Sequence, residues 1–311
     1  MKETHKGILT IATGAQKYID MAINLSLSSR LKVPHIPIAL VTDSKDPELH
    51  KHFNFIIPVN SEYGKGVIQK LFVNEYSPFE KTMFIDSDCL IVDSIDWLFD
   101  LFDGKKVSVI GKKKYDYILS GKTIEYLKTQ IDLDYLISFN GGVYYFEKSE
   151  LANKVYEKAR EFVNYYDKLG FRKWRDGVAD EVLMSLAMSY FRMIPIEDGG
   201  KGMRTPIAQK GQFKMDILKG YCEFYKEGEK VTPAIMHFGG DCLNTFFYKR
   251  ELKKMKLAKK KIFPKSVISL FVNIIYNSSY ILQVFVYRVV KSILKGAKFK
   301  FTPLMPMYRF E

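Results

Sequence analysis

The sequence has few of the residues and motifs that usually identify a protein's chemistry. Its 311 residues include only three cysteines, Cys89, Cys222 and Cys242, and none of them has the CxxC or CxxH spacing of a zinc site. Isolated thiols predict a reducing compartment rather than a disulfide-stabilised secreted domain. No Gly-x-Gly-x-x-Gly sequence follows the first predicted strand, so the usual dinucleotide-binding fingerprint is absent.

The N-terminal sequence also lacks the long apolar segment of a secretion signal. Residues 1–13 contain one short apolar run that ends before Gly14, and this pattern indicates no signal peptide. What the sequence does have is aromatic residues, at 14% of the chain, which argues against disorder. A chain of this length can bury a sizeable core in one large or two small domains.

The positive charge is concentrated at one end of the chain. The formal net charge is +13, and residues 249–311 hold 15 Lys/Arg against 2 Asp/Glu. Residues 1–248 hold 33 residues of each sign. The charge distribution therefore predicts a neutral body, residues 1–248, and a basic C-terminal segment, residues 249–311.

The basic C-terminal segment contains a stretch without charge, residues 266–287. Its polar and tyrosine side chains recur at helical spacing, which favours an amphipathic helix that lies in a membrane interface with lysines against anionic head groups. The stretch is also long enough for a transmembrane span, and packing against the body is a third interpretation. The long apolar content argues against a nucleic-acid-binding tail.

Apolar patterns with strand and helix periods alternate along the body. This alternation predicts an α/β fold with a mostly parallel sheet flanked by helices. Residues 199–214, rich in Gly, Lys and Gln, are predicted to form an exposed loop, and residues 112–135 have no clear period and allow a mobile flap. Strands are predicted at residues 7–13, 36–42, 53–59, 83–85, 90–92, 107–110, 138–146 and 234–238, and helices at 18–31, 69–76, 94–102, 149–166 and 180–190.

The sequence Asp86-Ser87-Asp88 lies between two apolar runs and is the most informative stretch of the chain. In an extended backbone, residues two apart point the same way, so Asp86 and Asp88 are expected to aim two carboxylates at one place. That place is the carboxyl end of a strand, where open α/β sheets bind ligands. Mg²⁺ and Mn²⁺ prefer such oxygen ligands. A solvated turn is the alternative, which the flanking apolar strands disfavour.

Three further polar motifs lie near predicted strand or helix ends. Asn140-Gly141-Gly142 interrupts a strand, which indicates either close approach of a ligand or a simple bulge. Asp180 and Glu181 begin a helix, where acidic residues also serve the helix dipole. His237 ends a buried strand and is either a site residue or an ordinary core histidine.

The order and spacing of these motifs resemble glycosyltransferases of the GT-A fold, in particular glycosyltransferase family 8 and its bacterial relatives. The resemblance covers most of residues 7–245. The matching parts are residues 8–13 with Tyr18 (opening strand and nucleotide-contacting loop), Lys70 (basic residue before the acidic strand), Asp86 and Asp88 (DxD motif), residues 139–142 (FN-small-G strand), Asp180 with Glu181 (Asp-Gln pair) and His237 (histidine of the HF or HY motif).

The resemblance implies a GT-A-type, Rossmann-like sheet and metal-dependent transfer of a sugar from a nucleotide-sugar donor, a UDP-sugar, with retention at the anomeric carbon. The acceptor implied is a glycan or glycolipid of the cell envelope. The residues implied are Asp86, Asp88 and His237 for Mn²⁺ or Mg²⁺; Thr13, Tyr18, Asp43, Lys70, Asp86, Ser87, Asp88, Asn140, Gly141, Gly142 and Gly239 for the donor; and Asn140, Asp180 and Glu181 for catalysis.

The chain departs from the family pattern in two places, and two other functions stay open. Leu243 lies near the position of a phosphate-contacting lysine, and Glu181 replaces a common glutamine. One alternative is a haloacid-dehalogenase-type phosphatase that uses Asp86 and Asp88, although Leu90 stands where such enzymes want a smaller residue or valine. The other is a non-catalytic, membrane-attached module that binds sugar nucleotides. The expected location is cytoplasmic, peripheral on the inner face of the membrane.

Overall fold

The computed structural model describes residues 5–173 and 177–293. The strands are β1 (Lys6–Ile11), β2 (Ile38–Thr42), β3 (Phe55–Pro58), β4 (Lys81–Ile85), β5 (Cys89–Ile91), β6 (Val107–Ser108), β7 (Gly111–Lys114), β8 (Ile118–Leu119), β9 (Lys122–Thr123), β10 (Leu136–Phe139), β11 (Val143–Glu147), β12 (Met203–Arg204), β13 (Lys210–Asp216), β14 (Tyr221–Lys226), β15 (Glu229–Val231) and β16 (Ile235–His237). The α-helices are α1 (Gln16–Lys32), α2 (Val73–Tyr76), α3 (Asp96–Phe102), α4 (Ile124–Lys128), α5 (Glu150–Val163), α6 (Asp180–Tyr190), α7 (Phe246–Lys259) and α8 (Lys265–Ile293). Short 3-10 helices lie at Pro47–Lys51, Ser61–Tyr63, Gly66–Phe72 and Gly240–Asn244.

The central sheet has the strand order β3-β2-β1-β4-β11-β6. The first four of these strands are parallel to one another, whereas β11 is antiparallel to both of its neighbours. This arrangement confirms the predicted α/β fold with a mainly parallel sheet flanked by helices. Because β1, β2 and β4 run the same way, their carboxyl ends meet at one edge of the sheet.

Adjacent residues of β4 belong to two different parts of the core, one on each face of the sheet. Met83 and Ile85 pack in a cluster with residues of α1 and α3, while Phe84 lies in a second cluster with residues of α5 and α6. This alternation follows from the strand period of two residues. Since both faces are covered, β4 is a nearly continuous apolar run, which is why the sequence pattern finds it.

Two parts of the chain differ from the sequence-based expectation. The strand predicted at residues 138–146 is two strands, because the backbone turns at Gly141 and Gly142: β10 pairs with β7, and β11 pairs with β4. The prediction of an exposed loop at residues 199–214 is wrong. Residues 199–214 contain β12 and most of β13, and β13 forms a meander with β14 and β15. Phe213 and Met215 are buried there, but the polar run Lys210-Gly211-Gln212 before them hides the strand pattern.

The two C-terminal helices pack on the body. The boundary predicted at residue 248 lies inside α7, and the helix predicted at residues 266–287 is confirmed as part of α8. Met255 of α7 and Val272 of α8 share a buried cluster with residues of β5, β14 and β16. No helix within the described residues is long and apolar enough to cross a membrane. A separate segment at 249–311 stays a prediction, and residues 294–311 lie outside the described residues.

A buried ionic cluster connects α7, α8 and the β13–β14 hairpin. The Lys254 ammonium lies 3.0 Å from Glu251 Oε1 and 3.2 Å from Asp216 Oδ2. The second Glu251 oxygen accepts the backbone N–H of Ile217 at 2.8 Å, and the Ser269 hydroxyl of α8 donates to Asp216. Burial alone raises the pKa of Asp216, but Ser269 and Lys254 outweigh it and hold that pKa below its usual value.

The cluster predicts a large difference between two neighbouring lysines. Lys254→Ala leaves two buried carboxylates without their shared cation, so the free energy of unfolding should fall by about 3–5 kcal/mol. Lys253→Ala is the matched control because Lys253 is exposed, and its effect should stay within about 0.5 kcal/mol. Urea unfolding followed by circular dichroism measures both; equal losses would contradict the structural role of the cluster.

Candidate active site

Backbone pairing at the end of β4 brings the predicted acidic residues next to the predicted histidine. After Ile85 the chain turns, with the Asp86 N–H donating to the Gly142 carbonyl at 3.0 Å. It then continues into β5, which is antiparallel to β16 and pairs Cys89 with His237. The N–H of Phe238 donates to the Asp88 carbonyl at 3.0 Å. Residues almost 150 positions apart in sequence are thereby fixed side by side.

The imidazole of His237 lies between Asn140 and the two aspartates. Its Nε2 is 3.2 Å from Asp88 Oδ1 and 3.9 Å from Asp86 Oδ2, and its Nδ1 is 2.6 Å from Asn140 Oδ1. The same Asn140 oxygen accepts the Gly142 N–H at 3.1 Å, which fixes it as an acceptor. Nδ1 therefore carries a proton, and Nε2 faces the carboxylates. Burial lowers the pKa of His237, but Asp88 outweighs burial and raises it.

Lys70 connects two of the acidic residues from the end of its 3-10 helix. Its ammonium lies 2.7 Å from Asp86 Oδ2 and 3.2 Å from Asp180 Oδ2. The Tyr144 hydroxyl donates to the same Asp180 oxygen at 2.7 Å. Burial lowers the pKa of Lys70, but Asp180 and Asp86 outweigh it and raise that pKa above its usual value. Lys70 is therefore a fixed positive charge at the carboxyl edge of the sheet.

The two aspartates after β4 have different electrostatic environments. Burial raises the pKa of Asp86, although Lys70 acts in the opposite direction. Burial also acts to raise the pKa of Asp88, but the adjacent His237 imidazole outweighs it and lowers that pKa. Asp88 Oδ1 is buried, and despite the nearby His237 nitrogen it accepts no well-oriented hydrogen bond. This oxygen retains unused capacity to bind a proton donor or a cation.

The two glycines after Asn140 leave no space for side chains. A Cβ at Gly142 would lie 2.7 Å from His237 Nδ1, and one at Gly141 would lie 2.9 Å from Glu181 Cγ. The N–H of Gly141 donates to Glu181 Oε1 at 2.6 Å. Burial is the main cause of a raised pKa at Glu181. The sequence signal of glycines within a strand thus marks close approach of the site's own side chains.

The remaining predicted residues lie around this centre. A Cβ at Gly239 would lie 3.1 Å from His237 Nε2. Ser87 is half-buried in the turn between β4 and β5. Asp43 instead accepts the Gly14 N–H, with both of its oxygens at 3.0 Å, and joins the loops after β1 and β2. Thr13 and Tyr18 flank the loop after β1 at the same sheet edge, but within the described part of the chain no hydrogen bond or ion pair links them to the aspartates.

Sequence analysis missed two parts of the site. Tyr144 lies in the buried run of β11, where the pattern indicates only a strand. A cavity of about 370 Å³ lies beside Glu181 and is lined in part by Tyr117, Phe139 and Arg172. Most of its wall comes from residues without a clear period or from loops, so neither periodicity nor a motif could have indicated it.

Cys89 is a third neighbour of the possible metal-binding groups. Potential ligand atoms of Asp88, Cys89 and His237 all lie within 4.8 Å of one another. The thiol is fully buried, however, and burial raises its pKa well above the usual value. Its sulfur faces the Gly142 carbonyl at 3.8 Å. A neutral thiol is a poor ligand for hard cations, so the oxygens and the imidazole are the stronger candidates.

The contact between Gly142 and His237 can be tested by a double-mutant cycle. Gly142→Ala forces a Cβ against the imidazole, so it should lower the free energy of unfolding by about 1–3 kcal/mol. In a His237→Ala background the obstructing ring is absent, and most of that cost should disappear. Urea unfolding of the four proteins gives the coupling; an undiminished cost in the double variant would place the clash elsewhere.

Comparison with known proteins supports the fold. No protein-family model matches the chain, and no curated protein matches it by sequence. Among solved structures, it is similar to an active-site variant of the galactosyltransferase LgtC, with 15% identity over 75% of this chain and 87% of that one and a TM-score of 0.50. It also matches mouse xyloside xylosyltransferase 1, with 13% identity over 77% and 99% of the two chains and a TM-score of 0.47. The protein has a GT-A-type glycosyltransferase fold.

Proposed function

We propose that this protein transfers a sugar from a nucleotide-sugar donor, with a divalent cation held by Asp86, Asp88 and His237. The observation that carries the proposal is the meeting of these three side chains at the carboxyl edge of a GT-A-type sheet. Ligands of open α/β sheets bind at this edge. The identity of the donor as a UDP-sugar follows the sequence resemblance.

The residues present suit Mn²⁺ or Mg²⁺. Two carboxylates and one imidazole nitrogen form the donor set, and the buried Asp88 Oδ1 lacks a well-oriented hydrogen bond. The Asn140 oxygen accepts a hydrogen bond from Nδ1–H and so directs Nε2 toward the carboxylates, a common way to orient a ligating histidine. When bound, the cation supplies charge neutralisation for a diphosphate leaving group.

Other side chains of the site suit the rest of a nucleotide sugar. Lys70 is a fixed positive charge beside the aspartates and is placed to contact the phosphates. Asn140 and Asp180 offer polar atoms to sugar hydroxyls, and Gly141 and Gly142 allow Glu181 and His237 to approach the same place. Thr13 and Asp43, on the loops after β1 and β2, and Tyr18, in the first turn of α1, are assigned to the nucleoside end because they lie farther along the same edge.

The cavity beside Glu181 suits the acceptor. Glu181 is one of its lining residues, and the others are partly apolar and partly polar, with Arg172 among them. The half-buried Glu181 carboxyl, whose pKa is raised mainly by burial, is positioned by the Gly141 N–H between the cavity and the glycine turn. Its position there suits an exchange of protons with an acceptor hydroxyl. Retention and an envelope glycan or glycolipid acceptor remain implications of the resemblance.

The two alternative functions receive less support. A haloacid-dehalogenase-type phosphatase would also use Asp86 and Asp88, but Leu90 stands where such enzymes want a smaller residue or valine. The likeness to LgtC in fold also does not favour it. A binding module without catalysis would not need a positioned acid such as Glu181 next to a cavity.

Metal dependence is the first test of this function. Excess chelator should abolish hydrolysis and transfer with UDP-sugars, and Mn²⁺ should restore them. Asp86→Asn, Asp88→Asn and His237→Ala should each lower turnover about 100-fold or more, because each removes a proposed ligand. Cys89→Ala is the matched control, since its thiol is adjacent but neutral, and it should keep Mn²⁺ binding in electron paramagnetic resonance. Full activity in chelator would contradict the proposal.

The sugar side of the pocket is tested separately. Asp180→Asn should lower turnover about 100-fold while the UDP dissociation constant changes less than about threefold, because Asp180 is assigned to the sugar. Asn140→Ala should show the same direction, with an added loss of Mn²⁺ affinity because His237 is no longer oriented. Steady-state kinetics and calorimetry with UDP measure these effects. A collapse of UDP affinity in Asp180→Asn would mean that the pocket is assigned the wrong way round.

A further inference from the structure

One side of α8 is apolar and exposed. Its side chains are between 49% and 65% exposed, and two apolar residues just before the helix, Ile262 and Phe263, are exposed as well. Spacings of three and four residues place the members on one stripe. The exposed face of α8 comprises Val267, Leu270, Phe271, Ile274, Ile275 and Leu282.

The opposite side of the same helix is already in use. Ile268 and Val272 are buried in the cluster beneath α7, and the Ser269 hydroxyl donates to buried Asp216. These contacts set the rotation of α8 about its axis. The exposed face is therefore a second apolar surface, which no part of residues 5–173 and 177–293 covers. Contiguous apolar patches of this kind mark interaction surfaces.

Charge around the exposed face indicates its partner. Lys259, Lys260, Lys261 and Lys265 are exposed next to its beginning. The sequence contains no acidic residue between Glu251 and Glu311. A second copy of the chain would bring the same lysines to the contact without acidic partners, so charge opposes self-association. A surface with negative groups above an apolar layer complements both features.

We propose that the exposed face of α8 docks on the surface of a lipid bilayer that contains anionic lipids. The apolar side chains enter the boundary between head groups and acyl chains, and the lysines contact the phosphates of the head groups. The helix lies along the interface. This surface also accounts for the concentration of basic residues in the last fifth of the chain.

The position of α8 places that bilayer near the candidate active site. The ring of Phe246, the first residue of α7, lies 5.3 Å from the Tyr280 ring and 6.1 Å from the Tyr276 ring. Near the start of α8, Ser269 instead shares Asp216 with Lys254, which lies farther along α7. The two helices are therefore antiparallel. From Tyr280, α8 continues to Ile293, about 20 Å beyond the start of α7. The start of α7 is also the end joined to His237 through Gly240–Asn244. A lipid-linked acceptor suits this arrangement, an extension that rests on the proposed function.

Vesicle binding by the purified full chain tests the surface without any catalytic step. The protein should bind phosphatidylcholine vesicles that contain about one third phosphatidylglycerol, and binding should fall as NaCl rises from about 0.1 M to about 0.5 M. The double variant Leu270→Asp with Phe271→Asp should bind at least about tenfold more weakly, since it replaces two apolar contacts by charges. Ile118→Asp changes an equally exposed isoleucine on β8 and should bind like the parent.

A second variant keeps the test decisive if charges on α8 disturb folding. Replacing Lys259, Lys260 and Lys261 by Gln leaves the helix face intact and should also weaken binding to the anionic vesicles. Equal binding to pure phosphatidylcholine, or unchanged binding by both sets of variants, would overturn the proposal. A dimer in sedimentation analysis that the double variant abolishes, without vesicle binding by the parent, would overturn it in favour of a second copy. Loss of UDP-sugar hydrolysis with intact vesicle binding would count against the proposed function only.

Discussion

Burying several carboxylates at the end of one strand requires cations close to them, and this requirement organises the candidate active site. Asp86, Asp88 and Asp180 lie in a mostly desolvated edge, where unpaired charge is costly. Lys70 supplies one positive charge and the imidazole of His237 approaches from the other side. The 3-10 helix Gly66–Phe72, β16 and the start of α6 therefore meet at the end of β4. Negative charge still exceeds positive charge there when the histidine is neutral, which is the electrostatic setting that a divalent cation balances.

The same requirement applies to the buried ionic cluster between α7, α8 and the β13–β14 hairpin, with a different result. Asp216 and Glu251 are balanced there by Lys254 and by Arg250, whose Nε lies 2.7 Å from Glu251, so that cluster needs no added ion. The two clusters differ in the number of cations that balance their carboxylates and in whether they are open to a ligand. One is closed on all sides by α7, α8 and a hairpin, and the other opens to the sheet edge beside a cavity.

The sequence predicted those features that depend on short-range patterns. Strand β4 and the paired direction of Asp86 and Asp88 follow from apolar runs and the two-residue period, and α6 was predicted with its observed bounds. Tyr144 could not be predicted as a site residue because its partner Asp180 is 36 residues away and its surroundings are apolar. Strand β13 was not predicted because exposed lysines interrupt its buried positions. Glu251 and Lys254 resemble ordinary surface charges, since only tertiary packing shows that they are buried.

The hydrogen bond from Ser269 to Asp216 has a geometric consequence for an enzyme at a membrane. It joins α8 to the hairpin and, through Lys254, to α7, so the helix cannot roll or swing independently of the body. A bilayer docked on α8 would then be held at a set height and tilt relative to Asp86 and Glu181. Such an enzyme would select acceptors by how far their terminal sugar stands above the lipid surface, and glycans that are too short or too long would miss the catalytic edge whatever their chemistry.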